Sequence, residues 1–180
     1  MFLDIRSATT IAEQLEELQY FSFLKDFFQD ITPAILRTNG DIYQYVGDEV
    51  IVNWPLRDKT NNNDCLKAFF EIKKDLSLKE ATYLERYGLV PSFKVGLHCG
   101  KVVVGEIGII KRDISFSGDV LNTASRIQSK CNELGVDLLL SSSLVEQLDI
   151  QSMPWSLEQM QKVSLKGKKD PIQLYTVKHN

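Results

Sequence analysis

Residues 40–54, Gly-Asp-Ile-Tyr-Gln-Tyr-Val-Gly-Asp-Glu-Val-Ile-Val-Asn-Trp, constrain this chain more than any other stretch. They read as strand, tight turn, strand. Ile42, Val46, Val50 and Val52 supply alternating apolar positions, and Gly47-Asp48 is a two-residue hairpin signal, because both residues tolerate the backbone angles of a tight turn. Most such hairpins are turns and nothing more. A second acid changes the reading, because Asp4 ends another apolar run, Met1-Phe2-Leu3. Two carboxylates carried to the ends of neighbouring strands can hold a divalent cation, which prefers hard oxygen ligands.

A chain of 180 residues is expected to form one domain with an adequate core and no need of cross-links. A net charge of −3 without a sustained basic stripe argues against nucleic acid as a partner. Cys65, Cys99 and Cys131 are odd in number and lack metal-type spacing, which reads as reduced thiols in a cytoplasmic setting. With only His98 and His179, a histidine-rich metal centre is excluded. No run is long enough to span a bilayer and no signal peptide is visible, so no membrane contact is expected of this domain itself. Met1 lies three residues before Asp4, which suggests a domain cut from a longer chain, whose other part could carry a membrane anchor.

Taken in order, residues 1–5 form a short strand, and the backbone N–H groups that follow can cradle phosphate beside Asp4. Thr10 and Glu13 fit a capping box opening a helix to about Asp30. Pro33, Asn39 and Gly40 lead from a second helical turn into the hairpin, and residues 57–64 read as a loop. A helix is expected over 64–76, a further helix or insertion over 78–87, and a strand over 92–99 that turns at Gly100 into Val102-Val103-Val104. Residues 106–113 read as an extended arm leaving the core. A helix over 118–131, a strand over 136–140, a capped helix over 141–148 and strands near Val163 and Leu174 close the chain.

Strand, helix, hairpin, helix, strand is the ferredoxin-like βαββαβ order of an α+β domain, with helices on one face of an antiparallel sheet and C-terminal additions. That arrangement sets Asp4 and Asp48 on adjacent central strands, where the Ile5 carbonyl adds a ligand and neither acid has a basic neighbour in sequence. Such a site can bind two divalent cations and a triphosphate and support in-line displacement at phosphorus. Asn122 and Arg126 stand four apart in Ser-Gly-Asp-Val-Leu-Asn-Thr-Ala-Ser-Arg-Ile, which puts an amide and a guanidinium on one helix face. They read either as a surface pair or as donors for a nucleotide, Arg126 neutralising phosphate charge.

Phe-Leu-Asp-Ile-Arg at 2–6, Val-Gly-Asp-Glu at 46–49 and Gly-Asp-Val-Leu-Asn-Thr-Ala-Ser-Arg at 118–126 together resemble the class III nucleotidyl cyclase catalytic domain. They stand in that family's order and spacing, over nearly the whole chain. The resemblance implies that Asp4, Asp48 and the Ile5 carbonyl bind two Mg²⁺ or Mn²⁺ ions, that Asn122 orients the ribose, and that Arg126 meets the transition state. Lys166, in Ser-Leu-Lys-Gly-Lys-Lys, falls where the family has a lysine facing the triphosphate; its other reading is a solvated basic loop. Thr9, after the first strand, is counted among the substrate-binding residues. The family pairs head to tail, so a homodimer carries two equivalent sites, with Asp4 and Asp48 from one subunit and Asn122 and Arg126 from the other. Residues 106–113 look like its dimer arm.

The base-selecting positions depart from the family. Gln44 stands where adenylyl cyclases usually carry lysine, and Ser115 where they carry Asp or Thr; the guanylyl pair, Glu with Cys, is absent too. Gln and Ser each offer donor and acceptor, so a less selective site is expected, leaning to ATP with GTP and pyrimidine triphosphates open. Two other classes remain: a catalytically silent, nucleotide-binding regulatory module, and a diguanylate cyclase, against which Val46, Asn122 and Arg126 speak.

Overall fold

The structure, a computed structural model, describes residues 1–56, 62–110, 113–166 and 170–178. Strand β1 (Phe2–Ile5) lies between two later strands. A hairpin of β2 (Asp41–Val46) and β3 (Glu49–Asn53) pairs through β3 with one edge of β1, and β4 (Phe93–Leu97) pairs with the other. All three pairings are antiparallel, the ferredoxin-like core expected from the sequence. β5 (Val103–Ile107) and β6 (Asp113–Ser117) form a separate hairpin. β7 (Leu138–Ser141), β8 (Ser156–Val163) and β9 (Ile172–Lys178) then extend the sheet to the order β2-β3-β1-β4-β7-β9-β8. β7 runs parallel to β4, so the whole sheet is mixed.

Alternation along β1 assigns its two faces. Leu3 and Ile5 join a core with Phe23, Phe27 and Ile31 of α2 (Glu17–Arg37) and Leu66, Phe69 and Ile72 of α3 (Asp64–Ser77). Phe2 points the other way and packs with Ile51 and with Ala124 of α5 (Asp119–Leu134), while Ile127 and Cys131 of α5 meet Leu139 and Leu174. Helices therefore cover both faces, where the sequence led us to expect one. The reason is the apolar stripe of α5, which needs a sheet face of its own. Gly96 lets that helix come close: a Cβ there would lie 2.4 Å from both the Ala124 carbonyl oxygen and the Gln128 nitrogen.

The first helix differs from expectation. α1 (Ala8–Gln14) starts after Ser7, whose φ of 56° turns the chain, and Thr10 lies inside the helix rather than at its cap. The chain breaks at Leu15, and α2 then runs on through Pro33 to Arg37. Pro33 forfeits one backbone hydrogen bond, but Phe23, Phe27, Ile31, Ala34 and Ile35 bury one continuous stripe, and packing outweighs local propensity. The segment at 78–87 resolves into α4 (Glu80–Tyr87), and α6 (Ser142–Val145) is capped by the Ser141 hydroxyl, which accepts from the Leu144 N–H.

The β5–β6 hairpin stands off the core. Val103, Ile107 and Ile114 are exposed, and Ile109 and Ile110 almost wholly so. Of the arm expected at 106–113, residues 111–112 lie outside the described residues, as do 57–61 of the expected loop and 167–169 of the basic segment after Lys166. No helix among the described residues is long and apolar enough to cross a membrane.

Because the neighbours of Gly96 are backbone atoms, Gly96→Ala must push α5 off the sheet. We expect a loss of about 1–3 kcal/mol or more, read from urea unfolding of the variant beside the parent.

Candidate active site

Asp4 sits in β1 with Glu49 of β3 and Lys94 of β4 as its direct cross-strand neighbours. Asp48 occupies the turn between β2 and β3 beside Gly47, whose φ of 62° the turn requires. The Ile5 N–H donates to the Asp48 carbonyl at 3.3 Å, which ties the hairpin tip to the end of β1. The two acids are thus brought together.

The Asp4 carboxylate is nearly buried, its side chain 13% exposed, and its two oxygens have different surroundings. Oδ2 accepts from Gln128 Nε2 at 2.8 Å and from Lys94 Nζ at 3.0 Å. Oδ1 is buried and has no hydrogen-bond partner. Burial, followed by the facing Asp4 carboxyl, raises the pKa of Asp48 above its ordinary 3.8. Glu49 is raised by burial and then by Asp4 and Asp48. The pKa of the Tyr20 phenol, at the start of α2, is raised by burial and then by the same two aspartates. Like charges crowded around an unsatisfied carboxylate oxygen fit a hard divalent cation. Among the described residues no cluster of three or more His, Cys, Asp or Glu could hold a metal ion, so any such centre rests on Asp4, Asp48 and a backbone carbonyl such as that of Ile5.

Helix α5 carries the second group. Thr123, Ala124, Ile127, Gln128 and Cys131 are buried toward the sheet, while Asn122 is exposed and Arg126 half-buried. Arg126 Nη1 donates to the carbonyl oxygen of Lys166, which ties that residue to α5; the Lys166 side chain is exposed. No contact among the described residues joins Asn122 or Arg126 to Asp4 or Asp48. Within one chain it is Gln128 that reaches Asp4. Thr9 is exposed in the first turn of α1.

A cavity of about 430 Å³ has Phe2, Tyr43, Ile51, Phe116, Leu121 and Ala124 among its walls, and none of Asp4, Asp48, Asn122 or Arg126. The pairing of β2 with β3 is irregular between Ile42 and Gln44, so Tyr43 is an extra residue that joins the α5-side cluster. Its hydroxyl accepts from the Phe116 N–H at 3.2 Å, and the two rings meet edge to face with centroids 4.3 Å apart. Gln44 and Ser115 are the chain neighbours of this pair, Gln44 exposed and Ser115 half-buried, and neither is among the cavity walls. An apolar slot of this kind suits a flat heteroaromatic ring.

Lys94, Gln128, Tyr20 and Tyr43 are absent from the sequence-based set. Arg6, two residues after Asp4 in sequence, turns to Asp137, and the base that meets Asp4 is Lys94, which register sets opposite it. Lys94 shares the β-face of Gly96, and Gln128 is a polar residue at a stripe position between Ala124 and Cys131, but neither position by itself names Asp4 as its partner.

Residues 1–179 match the family model described as the adenylate and guanylate cyclase catalytic domain. The chain belongs to that family, whose members are phosphorus–oxygen lyases. It is 30% identical over 148 residues to adenylate cyclase 2 of Rhizobium meliloti (strain 1021), matching 82% of this chain and 41% of that protein. It is 32% identical over 184 residues to an adenylate cyclase of Anabaena cylindrica, matching 99% of this chain and 36% of that one. The chain thus spans less than half the length of these relatives. Its fold is similar to that of the adenylyl cyclase CyaB from P. aeruginosa, with a TM-score of 0.84 at 22% identity over 99% of this chain and 92% of that one. The guanylyl cyclase Cya2 gives a TM-score of 0.82 at 21% identity, over 98% of this chain and 88% of that chain.

The raised pKa of Asp48 has a definite sign. With its folded pKa above 3.8, stability is lost as pH rises through the interval above that value, so the charged form costs stability at neutral pH. Asp48→Asn is therefore expected to stabilise the metal-free domain at pH 7, by less than about 1 kcal/mol for a half-exposed turn. Urea unfolding at pH 4 and pH 7 checks this, and the gain should shrink at the lower pH.

Proposed function

We propose that this domain cyclises a nucleoside triphosphate, ATP by preference, to its 3′,5′-cyclic monophosphate and pyrophosphate. The observation that carries the reading is the Asp4 carboxylate, anchored through Oδ2 and unsatisfied at Oδ1, beside the pKa-raised Asp48. Asp4, Asp48 and the Ile5 carbonyl would hold two Mg²⁺ or Mn²⁺ ions. Such ions supply charge neutralisation on the phosphates and lower the pKa of a bound hydroxyl.

The 3′-oxygen forms a bond to the α-phosphorus as its proton leaves, and the bond from that phosphorus to the bridging oxygen breaks to release pyrophosphate. The chain's own residues bind and orient. The slot of Phe2, Tyr43 and Phe116 takes the base, with Gln44 and Ser115 reading its edge. Asn122 holds the ribose so that the 3′-oxygen faces phosphorus. Arg126 receives the charge that builds on the phosphoryl oxygens, and Lys166 and the turn before Thr9 face the triphosphate tail. Ser115 keeps a hydroxyl where adenylyl cyclases of this class carry Asp or Thr, which favours ATP.

Because Asn122 and Arg126 stand on the side of α5 away from Asp4, one chain leaves each half of the site unmatched. A two-fold homodimer brings the halves together, with the apolar β5–β6 hairpin as the dimer arm.

Two experiments test this. Purified domain incubated separately with ATP, GTP, CTP and UTP, under Mg²⁺ and Mn²⁺, is expected to give cyclic AMP as the dominant product by mass spectrometry. No cyclic product from any of the four would assign the domain to nucleotide binding without turnover. Asp48→Ala and Arg126→Ala are each expected to abolish turnover with the fold intact. Mixed in equal amounts they should regain up to about a quarter of parental activity, since random pairing gives half heterodimers with one sound site each.

A further inference from the structure

Two donors converge on one oxygen of Asp4 and leave the other bare. Gln128 Nε2 at 2.8 Å and Lys94 Nζ at 3.0 Å share Oδ2, so the carboxylate cannot turn without giving up both, and Oδ1 stays free. The donors have different origins. Lys94 is fixed by strand register. Gln128 comes from α5, is 3% exposed, and has its backbone nitrogen directly over Gly96, which sets the height of the helix above the sheet. A buried amide at a stripe position is costly unless it makes its hydrogen bond, and here the partner is an ionisable carboxyl.

We infer that Gln128 is a positioning residue for Asp4. Each α5 then serves two sites, its outer side completing the partner's and its inner side holding a metal carboxylate of its own chain. This rests on the shared-site reading above. Gln128 reaches no substrate; it acts by fixing which oxygen Asp4 presents. Outer-sphere groups of this kind govern cation affinity, and their loss weakens it by about 10–100-fold.

The first test needs no turnover. Mn²⁺ alone is titrated into the domain without nucleotide and followed by electron paramagnetic resonance. Gln128→Leu, similar in volume and lacking the donor, is expected to weaken binding by about ten-fold or more. Unchanged binding overturns the inference.

The second test separates positioning from packing. In the mixture of Asp48→Ala and Arg126→Ala chains, the sound site takes Asp4 and Asp48 from the Arg126→Ala chain and Asn122 and Arg126 from the other. Gln128→Leu added to the Arg126→Ala chain should lower activity at limiting Mg²⁺ by about ten-fold. The same change in the Asp48→Ala chain, where it lies beside a dead metal pair, should leave activity within about two-fold of the mixture without it. Equal loss in both arms, repeated with the isosteric Gln128→Glu, assigns Gln128 to the packing of α5 and overturns the inference. If the unmodified mixture is itself silent, the shared site fails, and the Mn²⁺ titration alone decides the role of Gln128.

Discussion

A nearly buried carboxylate must have its charge met, and Asp4 meets that demand through one oxygen only. Everything around it is arranged to this end. Antiparallel register with β4 brings Lys94 alongside, register with β3 brings the Asp48 turn, and α5 lowers Gln128 from above. The unsatisfied Oδ1 and the raised pKa of Asp48 are costs to the metal-free fold. Costs of this sort concentrate at functional sites, where a ligand that binds only the folded form recovers them.

The same constraint explains the position of α5. The close approach at Gly96 fixes how near the helix lies to β1 and β4, and its apolar stripe fixes its rotation. Once Ala124, Ile127 and Cys131 face the sheet, helical geometry turns Asn122 and Arg126 outward. Those two polar groups are thereby displayed to whatever lies against the domain, together with the Lys166 segment to which Arg126 is bonded. The isoleucines and valines of the β5–β6 hairpin form a further exposed apolar surface. The inner acidic group, the outer basic group and the apolar hairpin are what the paired arrangement proposed above would bring together.

Much of this was legible in the sequence, for local reasons. The Gly47-Asp48 turn declares itself through backbone chemistry, the strand at 93–97 through alternation, and α5 through its period. The fold order follows from these. What the sequence concealed was long-range. Thr10 and Glu13 imitate a cap, yet the helix begins at Ala8 because the chain turns at Ser7. Pro33 resembles a stop, yet the buried stripe of α2 carries the helix past it. The second helical layer depends on which face α5 chooses, and the parallel pairing of β7 with β4 depends on a crossover that no local pattern records. At the site, the acids and the Asn122–Arg126 pair carry motif-level signals. Lys94 and Gln128 do not, since each meets Asp4 only through a register or a packing contact.

The most direct measurement is a crystal structure of the domain with Mn²⁺ and a non-cyclisable ATP analogue, with the metal located by its anomalous signal. The account predicts Mn²⁺ against Asp4 Oδ1 and Asp48 of one subunit, and the ribose and phosphates of that same nucleotide against Asn122 and Arg126 of the other. A nucleotide held wholly within one chain, or a metal away from Asp4, would contradict it.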